Sequence, residues 1–533
     1  MSTMFERYPD LELQLHLSNF ENVDNIPASP APLKLPLDKL DVIYSYGLSD
    51  GHDFLHLEEW LEAVSGKHLI FLEDDLSAVH RVSQLPWGEK LFKHPQVHLK
   101  FLNHPIDWVL ELCAREFPSE RIEIITRKKK NSTFRALQLA LLRKTVLWNS
   151  LTSEQLSGHI LHRNIFTNFQ QLPKSFNVNQ MKNAFQGKAA IICGAGPSLA
   201  GVIEDLKYVK DNALIIGCGS ALSALSHFNL KPHFGIAIDP NRREKECLQG
   251  CQFRDLPLIY GNRLYPEVFE LFDGPFGYLR SPTGSLLEKN IEEQLGLMEG
   301  DIGLDLGREA LSVTTLALAL ACHWGCSPIN LAGVDLAYAG NSHYAQGVPV
   351  HAMLQTEETR AGEQLIYRKG AEGTKVATLI KWVMEQETID AYTKLYPDRT
   401  FYNATGKGLG FPSIPHIPLR EIPLTPLNLD LNAILASYSL PVTRDQLQIT
   451  LSGVKASFQT CWELSKQLQQ ESEESGRAIL FEEDLREEIV YPLTIRPALE
   501  ALERVYRLNI DIPFSQHKWK FLQEMIEEYL KLL

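Results

Sequence analysis

Long apolar runs and an excess of positive charge are both missing from this 533-residue sequence, and its polar start leads us to expect no signal segment. No stretch reaches about 18 apolar residues, the length that a membrane-spanning helix needs. The N-terminus, Met1–Asp10, is polar and acidic, so we expect a cytoplasmic protein without a membrane span. The formal net charge of −14 argues against a general nucleic-acid surface and against a broad footprint on anionic membranes.

Cysteine pairs with the short CxxC spacing usual in zinc sites are also absent. Two pairs at i, i+4 spacing, Cys247/Cys251 and Cys322/Cys326, leave open a four-thiolate metal site. The eight cysteines are more simply explained as small core residues in a reducing compartment, since several lie in apolar stretches. We therefore predict no metal site.

The most informative stretch is Ala189–Leu199, in which a short apolar run meets a glycine-rich loop. The run Ala189–Cys193 predicts a buried strand of a parallel sheet, and the apolar spacing that follows Ser198 predicts a helix. Glycines let backbone amides approach a ligand closely, and a helix N-terminus favours negative charge. The loop lacks both the third glycine of dinucleotide-binding proteins and the P-loop lysine. It therefore predicts either a phosphate-binding strand–loop–helix or a tight structural turn.

Alternating strand and helix patterns predict an α/β protein of several domains. Strands at Asn212–Gly217 and His233–Ile238 follow the glycine loop, with helices between, and this order predicts a doubly wound, Rossmann-like sheet. We divide the chain into an N-terminal α/β (Rossmann-like) domain at 1–130, a helical connector at 131–182, a central domain at 183–425 and a C-terminal helical domain at 426–533.

The N-terminal domain contains a second candidate nucleotide unit. Its strand Asp41–Tyr46 runs into the turn Gly47–Gly51, and the strand Lys67–Leu72 ends at Glu73, where a ribose-binding carboxylate would lie. The glycines do not match a strict dinucleotide fingerprint, so a purely structural domain is favoured and a ligand is left open. Four further predictions are a half-buried strand at Leu11–Leu17, a solvated strand end at Arg127–Lys130, a helix over 370–395 and a linker at Pro412–Pro426.

Polar residues follow several of the predicted central strands. Ligands of doubly wound sheets bind beyond the carboxyl ends of the strands, where Gly194–Ser198, Gly219, Ser220 and Asp239 are expected. The strand at Pro328–Leu331 leads into a glycine-punctuated loop that carries Asp335, Tyr338, Asn341 and His343. A histidine in this company is a candidate for catalysis or ligand binding, the alternative being a loop histidine without a task.

These segments resemble the motility-associated-factor glycosyltransferases, a family whose shared domain was first known only as a domain of unknown function. The resemblance covers most of the chain to about residue 420, with the C-terminus similar only in character. The matching segments are Tyr46–Gly51, Leu69–Asp74, Asn164–Pro173, Gly194–Leu199, Ile236–Pro240, Ile329–Tyr338, Gly340–His343, Thr374–Glu385 and Asn403–Thr405.

The resemblance implies an inverting, metal-independent, sialyltransferase-like enzyme that needs no cofactor. Such an enzyme moves a nonulosonic (sialic-acid-like) sugar from a CMP-activated donor to Ser or Thr hydroxyls of flagellin. Carried over, Gly194, Gly196, Pro197 and Ser198 hold the CMP phosphate, while Gly219, Ser220 and Asp239 line the nucleotide or sugar. His343 is implied as the general base, with Asp335 beside it in the catalytic group and Tyr338 and Asn341 in the donor site.

Two alternatives remain open at this point. An archaeal hydroxymethylpterin pyrophosphokinase carries a similar glycine loop and uses ATP with magnesium, and a non-catalytic nucleotide-binding protein would keep the loop without chemistry. The sequence departs from the family at Gly406-Lys407-Gly408, where an acidic residue and two glycines are usual, and at the charged segment Arg242–Cys251. The first departure leaves the contacts of that segment open, and the second leaves acceptor recognition open.

Overall fold

A computed structural model describes residues 6–18, 20, 30–64, 66–102, 106–128, 130–307, 312–350, 360–471, 475–507 and 514–533. The chain divides into two compact units. The first unit contains Met1–Ser153, Glu357–Gln364 and Glu500–Gln516, and the second contains Glu154–Thr356, Leu365–Leu499 and His517–Leu533. The four-part division predicted from the sequence stays a prediction.

A four-stranded parallel sheet forms the core of the first unit, in the order β3-β2-β1-β4. All five residues of the central strand β1 are buried, as expected of a strand covered on both faces. The strands are β1 Val42–Tyr46, β2 His68–Glu73, β3 Val97–Phe101 and β4 Ile122–Thr126, and the helices are α1 Pro9–Leu17, α2 His52–Ala63, α3 Leu76–Ser83, α4 Gly88–Lys93 and α5 Ile106–Glu116.

The acidic end of β2 is occupied by the protein's own groups. The buried Glu73 carboxylate accepts hydrogen bonds from the Leu48, Asp74 and Asp75 N–H groups at 2.6, 2.9 and 3.1 Å. Lys128 Nζ lies 2.8 Å from the same carboxylate. The acid expected at a ribose site is therefore satisfied internally, which favours the structural interpretation of this unit. Lys128 is ion-paired here and its side chain is 35% exposed, so the predicted solvated strand end is only half in solvent at this residue.

An eight-stranded parallel sheet organises the second unit, in the order β14-β11-β6-β7-β8-β9-β10-β5. Its strands are β5 Ser175–Asn177, β6 Ala189–Cys193, β7 Ala213–Cys218, β8 Phe234–Ala237, β9 Leu258–Tyr260, β10 Phe276–Tyr278, β11 Ile329–Ala332 and β14 Phe401–Asn403. The strands from β6 to β10 advance in one direction, while β11 and β14 lie on the other side of β6. The prediction of a doubly wound Rossmann-like sheet is confirmed. The sheet also includes β5, which precedes the predicted domain start at residue 183.

The order of the strands places the switch point of the sheet between β6 and β11. These two strands are neighbours, with Ile329 beside Ala190 and Ala332 beside Cys193. Connections leave them toward opposite halves of the sheet, so a crevice opens beyond their carboxyl ends. The glycine loop follows β6 and the segment with Asp335 follows β11, which brings both predicted site segments to this crevice.

Helices of the second unit surround this sheet, and a long helix links the two units in sequence. The predicted helical connector is seen as α6 Ser132–Leu156 and α7 Gly158–Phe169. The helices after the glycine loop are α8 Ile203–Val209, α9 Ala221–His227, α10 Arg242–Leu248, α11 Leu286–Gln294, α12 Val313–His323, α13 Ile380–Thr393 and α14 Leu431–Ala436. The helical C-terminus is confirmed, with α15 Arg444–Gln470, α16 Gly476–Glu487, α17 Arg496–Arg507 and α18 Phe514–Leu532.

Three local predictions are wrong for identifiable reasons. Leu11–Leu17 is helical, because Pro9 starts a helix and Leu11 and Leu15 lie one turn apart on the side that joins the core. Residues 370–395 begin with the turn and the second strand of a hairpin, whose strands are β12 Leu365–Lys369 and β13 Lys375–Leu379, and α13 starts only at Ile380. The turn between them uses Gly373 at a φ of 79°, which favours glycine.

The third concerns the predicted linker at Pro412–Pro426. It is packed rather than free, since Ile414, Leu419 and Ile422 are buried.

In the described part of the chain, no helix combines the length and apolar character that crossing a bilayer requires. Seven of the eight cysteines are buried and Cys251 is half-buried, which confirms that they are mainly core residues.

Candidate functional site

The glycine loop after β6 is pressed against the segment after β11. The Gly194 N–H donates to the Ala332 carbonyl and the Gly196 N–H to the Gly333 carbonyl, each at 2.8 Å. A Cβ at either Gly194 or Gly196 would lie 2.6 Å from the Gly333 carbonyl oxygen, far inside contact distance. The two glycines are therefore required by the close approach of two backbones. Pro197 then begins the helical turn Pro197–Val202, as predicted.

Asp335 closes this contact from the β11 side. Its carboxylate accepts a hydrogen bond from the Ser198 N–H at 2.8 Å and a second from the Ser198 hydroxyl. Burial raises the pKa of the Asp335 carboxyl, and the two bonds from Ser198 and the Lys407 charge oppose that rise. Asp335 thus supplies the anion that the first turn of this helix attracts. The sequence placed both residues at the site but did not pair them.

One amide of the loop is still available to a ligand. Among the described residues, no backbone or side-chain acceptor receives the Ala195 N–H, while the Ala195 carbonyl accepts from the Ala345 N–H at 2.8 Å. Ala195 is half-buried. The loop therefore has one amide N–H that no described group of the protein receives, beside the amides that hold the loop in shape.

His343 lies in an aromatic enclosure. Its ring centroid is 4.1 Å from that of Tyr344, 5.2 Å from that of Trp382 and 5.5 Å from that of Tyr338. The chain reaches it through a tight turn in which Ala339 pairs with Ser342 around Gly340 and the exposed Asn341. The structure therefore brings His343 and Tyr338 together and leaves Asn341 in solvent.

The ends of β7 and β8 supply the rest of the predicted site. Gly219 has a φ of 47°, in the left-handed region that favours glycine, and turns the chain into α9. The Ser220 hydroxyl interacts with the Cys247 thiol and the Tyr344 phenol. These contacts link the end of β7 to residues 333–345, which follow β11 and are called the β11 segment below. Asp239 is exposed, and its carboxylate accepts from the Asn241 N–H at 3.0 Å at the start of α10.

Glu244 is a neighbour of this site that the sequence did not reveal. It lies on α10, is 9% exposed, and its Oε1 is 3.5 Å from the position of a Cβ on Gly219. Burial, with the nearby charge of Asp239, raises the pKa of Glu244 to about 8. The charged run around it suggested a surface helix. Only its spacing from Cys247 and Leu248, one turn away and buried, signalled that it points inward.

The departure at Gly406-Lys407-Gly408 also has a structural explanation. The Leu409 N–H donates to the Asp335 carbonyl at 2.9 Å, and a Cβ on Gly408 would lie within 2.1 Å of that same oxygen. Gly408 therefore lets this segment pack directly on the backbone of Asp335.

Among the described residues, no group of three or more His, Cys, Asp or Glu side chains is arranged to hold a metal ion.

Comparisons with known proteins agree with this architecture. Residues 163–341 match the family described as 6-hydroxymethylpterin diphosphokinase MptE-like. The chain is similar to the structure of a MAf glycosyltransferase from Magnetospirillum magneticum AMB-1, with a TM-score of 0.50 and 14% identity over 100% of this chain and 82% of that one. No curated protein matches the sequence significantly. The predicted resemblance is confirmed for the domain and for the fold.

Proposed function

We propose that this chain, built around an MptE-like domain, is a glycosyltransferase that moves a nonulosonic sugar from a CMP-activated donor to Ser or Thr hydroxyls of a flagellin-like protein. The observation that carries the proposal is the meeting of the segments after β6 and β11 at the switch point of the sheet. The polar ends of β7 and β8 lie at the same carboxyl edge. The likeness in fold to a MAf glycosyltransferase supports it.

The donor phosphate binds at the loop Gly194–Ser198. The Ala195 N–H donates to a phosphate oxygen, and the neighbouring loop amides fix its direction through their bonds to the β11 segment. Asp335 acts as the positioning residue, because it holds Ser198 at both the N–H and the hydroxyl. A preorganised donor aimed at the leaving phosphate stabilises the charge that develops there as the bond to the sugar breaks.

His343 acts as the general base. The acceptor hydroxyl oxygen forms a bond to the anomeric carbon, its proton passes to the imidazole, and the electron pair of the breaking carbon–oxygen bond stays on the CMP phosphate. This single displacement inverts the anomeric centre. The rings of Tyr338, Tyr344 and Trp382 pack around the half-buried imidazole and restrict its orientation.

A thermal-shift titration tests the nucleotide specificity. We expect CMP to raise the melting temperature in the absence of magnesium. At a CMP concentration of 100 times its Kd, binding adds about 2.7 kcal/mol to the free energy of unfolding. UDP, GDP and ATP, each with and without magnesium, serve as matched comparisons and are expected to give smaller shifts. Absence of a shift with every nucleotide would leave the glycine loop as a structural turn and overturn the proposal.

A pterin pyrophosphokinase is the second candidate, because the matching family model carries that description. Such an enzyme would transfer a diphosphate from ATP to a pterin alcohol with magnesium. It predicts a shift that needs ATP and magnesium together, with ATP consumed only when the pterin is added. CMP binding without metal would speak against it, so the same titration separates the two functions.

A further inference from the structure

The strand next to the glycine-loop strand ends without an acidic residue. In nucleotide-binding α/β sheets, the strand that follows the glycine loop commonly ends in a carboxylate about 20 residues on, which binds the ribose hydroxyls. Here β7 pairs with β6 and ends at Cys218, followed by Gly219 and Ser220. The residue that follows the strand, from which a ribose-binding side chain would extend, is Gly219 and has no side chain.

A carboxyl group from another element reaches that position. Glu244 Oε1 and Oε2 lie 3.5 and 3.9 Å from the site of a Cβ on Gly219. Among the described residues, no N–H or O–H group donates a hydrogen bond to this carboxyl, although the residue is 9% exposed. A carboxyl that is nine-tenths buried and receives no donor from these residues keeps its acceptor capacity for water or for a ligand.

Glu73, in the first unit, lies at the equivalent strand end, and its carboxylate has its hydrogen-bond partners within the protein. It accepts hydrogen bonds from three backbone N–H groups and lies against Lys128. Both carboxyls lie at the end of the strand that follows a glycine turn. Only Glu244 has its acceptor capacity unused, so only Glu244 can receive donors from a ligand.

We propose that Glu244 binds the ribose 2′- and 3′-hydroxyls of the donor nucleotide. Two adjacent hydroxyls present two O–H donors to the two oxygens of one carboxylate. The absence of a side chain at Gly219 leaves room for the sugar to approach. This inference rests on the proposed function, since it requires that a ribonucleotide binds at this edge of the sheet.

The groups around Glu244 determine its protonation, which ribose binding is expected to change. Asp239 at the end of β8 faces it with a negative charge, and Cys247 of α10 and Tyr344 of the β11 segment are its titratable neighbours. Arg243 is the cation that acts on the same two neighbours, and Val313 contributes an apolar side chain beside Gly219. Hydroxyl donors favour the ionised carboxyl, so binding of the ribose releases the proton of Glu244 to solvent.

Calorimetric titration of the full chain with CMP, 2′-deoxy-CMP and 3′-deoxy-CMP tests the inference. Loss of either hydroxyl is expected to weaken binding to the unmodified protein by about ten-fold or more, the usual effect of losing a hydrogen bond to a charged group. In Glu244→Gln, CMP is expected to bind about ten-fold or more weakly than it binds the unmodified protein, and removing a hydroxyl is expected to cost clearly less than it costs the unmodified protein, because the neutral amide offers one acceptor oxygen in place of two charged ones. Glu246→Gln, on the same helix but paired with Arg242, is the matched control and keeps the discrimination.

Equal discrimination by Glu244→Gln and the unmodified protein would overturn the inference. No binding of CMP to the unmodified protein would instead overturn the proposed function, so the two failures are distinct. If Glu244→Gln does not fold, the unmodified protein still decides the question. The ratio of the Kd of 2′-deoxy-CMP to that of CMP is expected to rise between about pH 6 and about pH 8, because Glu244 becomes ionised over this range and accepts the hydroxyls better. Titration of the phosphate affects both nucleotides alike, so its contribution cancels in the ratio. A flat ratio would contradict the role of Glu244.

Discussion

Replacing His343 with alanine is expected to lower the rate of sugar transfer by about 10²–10⁴-fold, the usual contribution of a general base. The affinity for CMP is expected to change little, because the loop Gly194–Ser198, where we propose that the phosphate binds, is held by Asp335 and Gly333 rather than by His343. The measurement is CMP release from a CMP-activated nonulosonic acid in the presence of an acceptor protein, with calorimetric titration of CMP alongside. The rate constant and the affinity then separate chemistry from binding.

His227→Ala is the matched control, since it removes an exposed imidazole from α9. Its transfer rate is expected to equal that of the unmodified protein. Transfer at the normal rate by His343→Ala would show that another group accepts the proton. Loss of CMP affinity together with the rate would show that His343 belongs to the donor site.

Replacing Gly196 with alanine is expected to disrupt the donor site and destabilise the second unit. The added Cβ would lie 2.6 Å from the Gly333 oxygen and 2.8 Å from Cγ and Oδ2 of Asp335. Gly196 has φ −66° and ψ 155°, which any residue adopts, so contact rather than backbone strain causes the effect. Overpacking typically costs about 1–3 kcal/mol, and displacing Asp335 also breaks its bonds to Ser198.

Urea unfolding and CMP titration of Gly196→Ala together measure this effect. Gly201→Ala is the matched control, because nothing lies within 4 Å of a Cβ at Gly201 in the same segment. The control is expected to keep full stability and full affinity for CMP. If Gly196→Ala also kept both, the contact between the loop and the β11 segment would not be needed for donor binding.

Sequence patterns predicted most of the central sheet because its strands are locally distinctive. The apolar runs that became β6, β7 and β8 are fully buried, which is the pattern of parallel strands covered on both faces. Failures occurred where a local pattern fits two structures. The alternation at Leu11–Leu17 also fits a short helix, and the second strand of a hairpin precedes α13 within residues that looked uniformly helical.

The candidate site was predicted as a set of strand ends but not as a set of contacts. Gly194–Ser198, Gly219, Ser220, Asp239 and Asp335 were identified because each follows an apolar strand pattern. Their partners were not, since Ser198 and Asp335 are 137 residues apart and meet only because β11 inserts beside β6. Glu244 was missed because its charged neighbours resemble a solvated helix.

The sequence by itself determined the class of fold, the glycine loop and the strand ends that carry polar residues. These features depend on residues close together in the chain, such as the buried run Ala189–Cys193 and the glycines that follow it. The tertiary structure alone decided that Asp335 binds Ser198, that His343 lies among aromatic rings and that Glu244 reaches Gly219. Each of these contacts depends on which strands become neighbours. Strand order is set by the packing of the whole sheet, which no local pattern encodes.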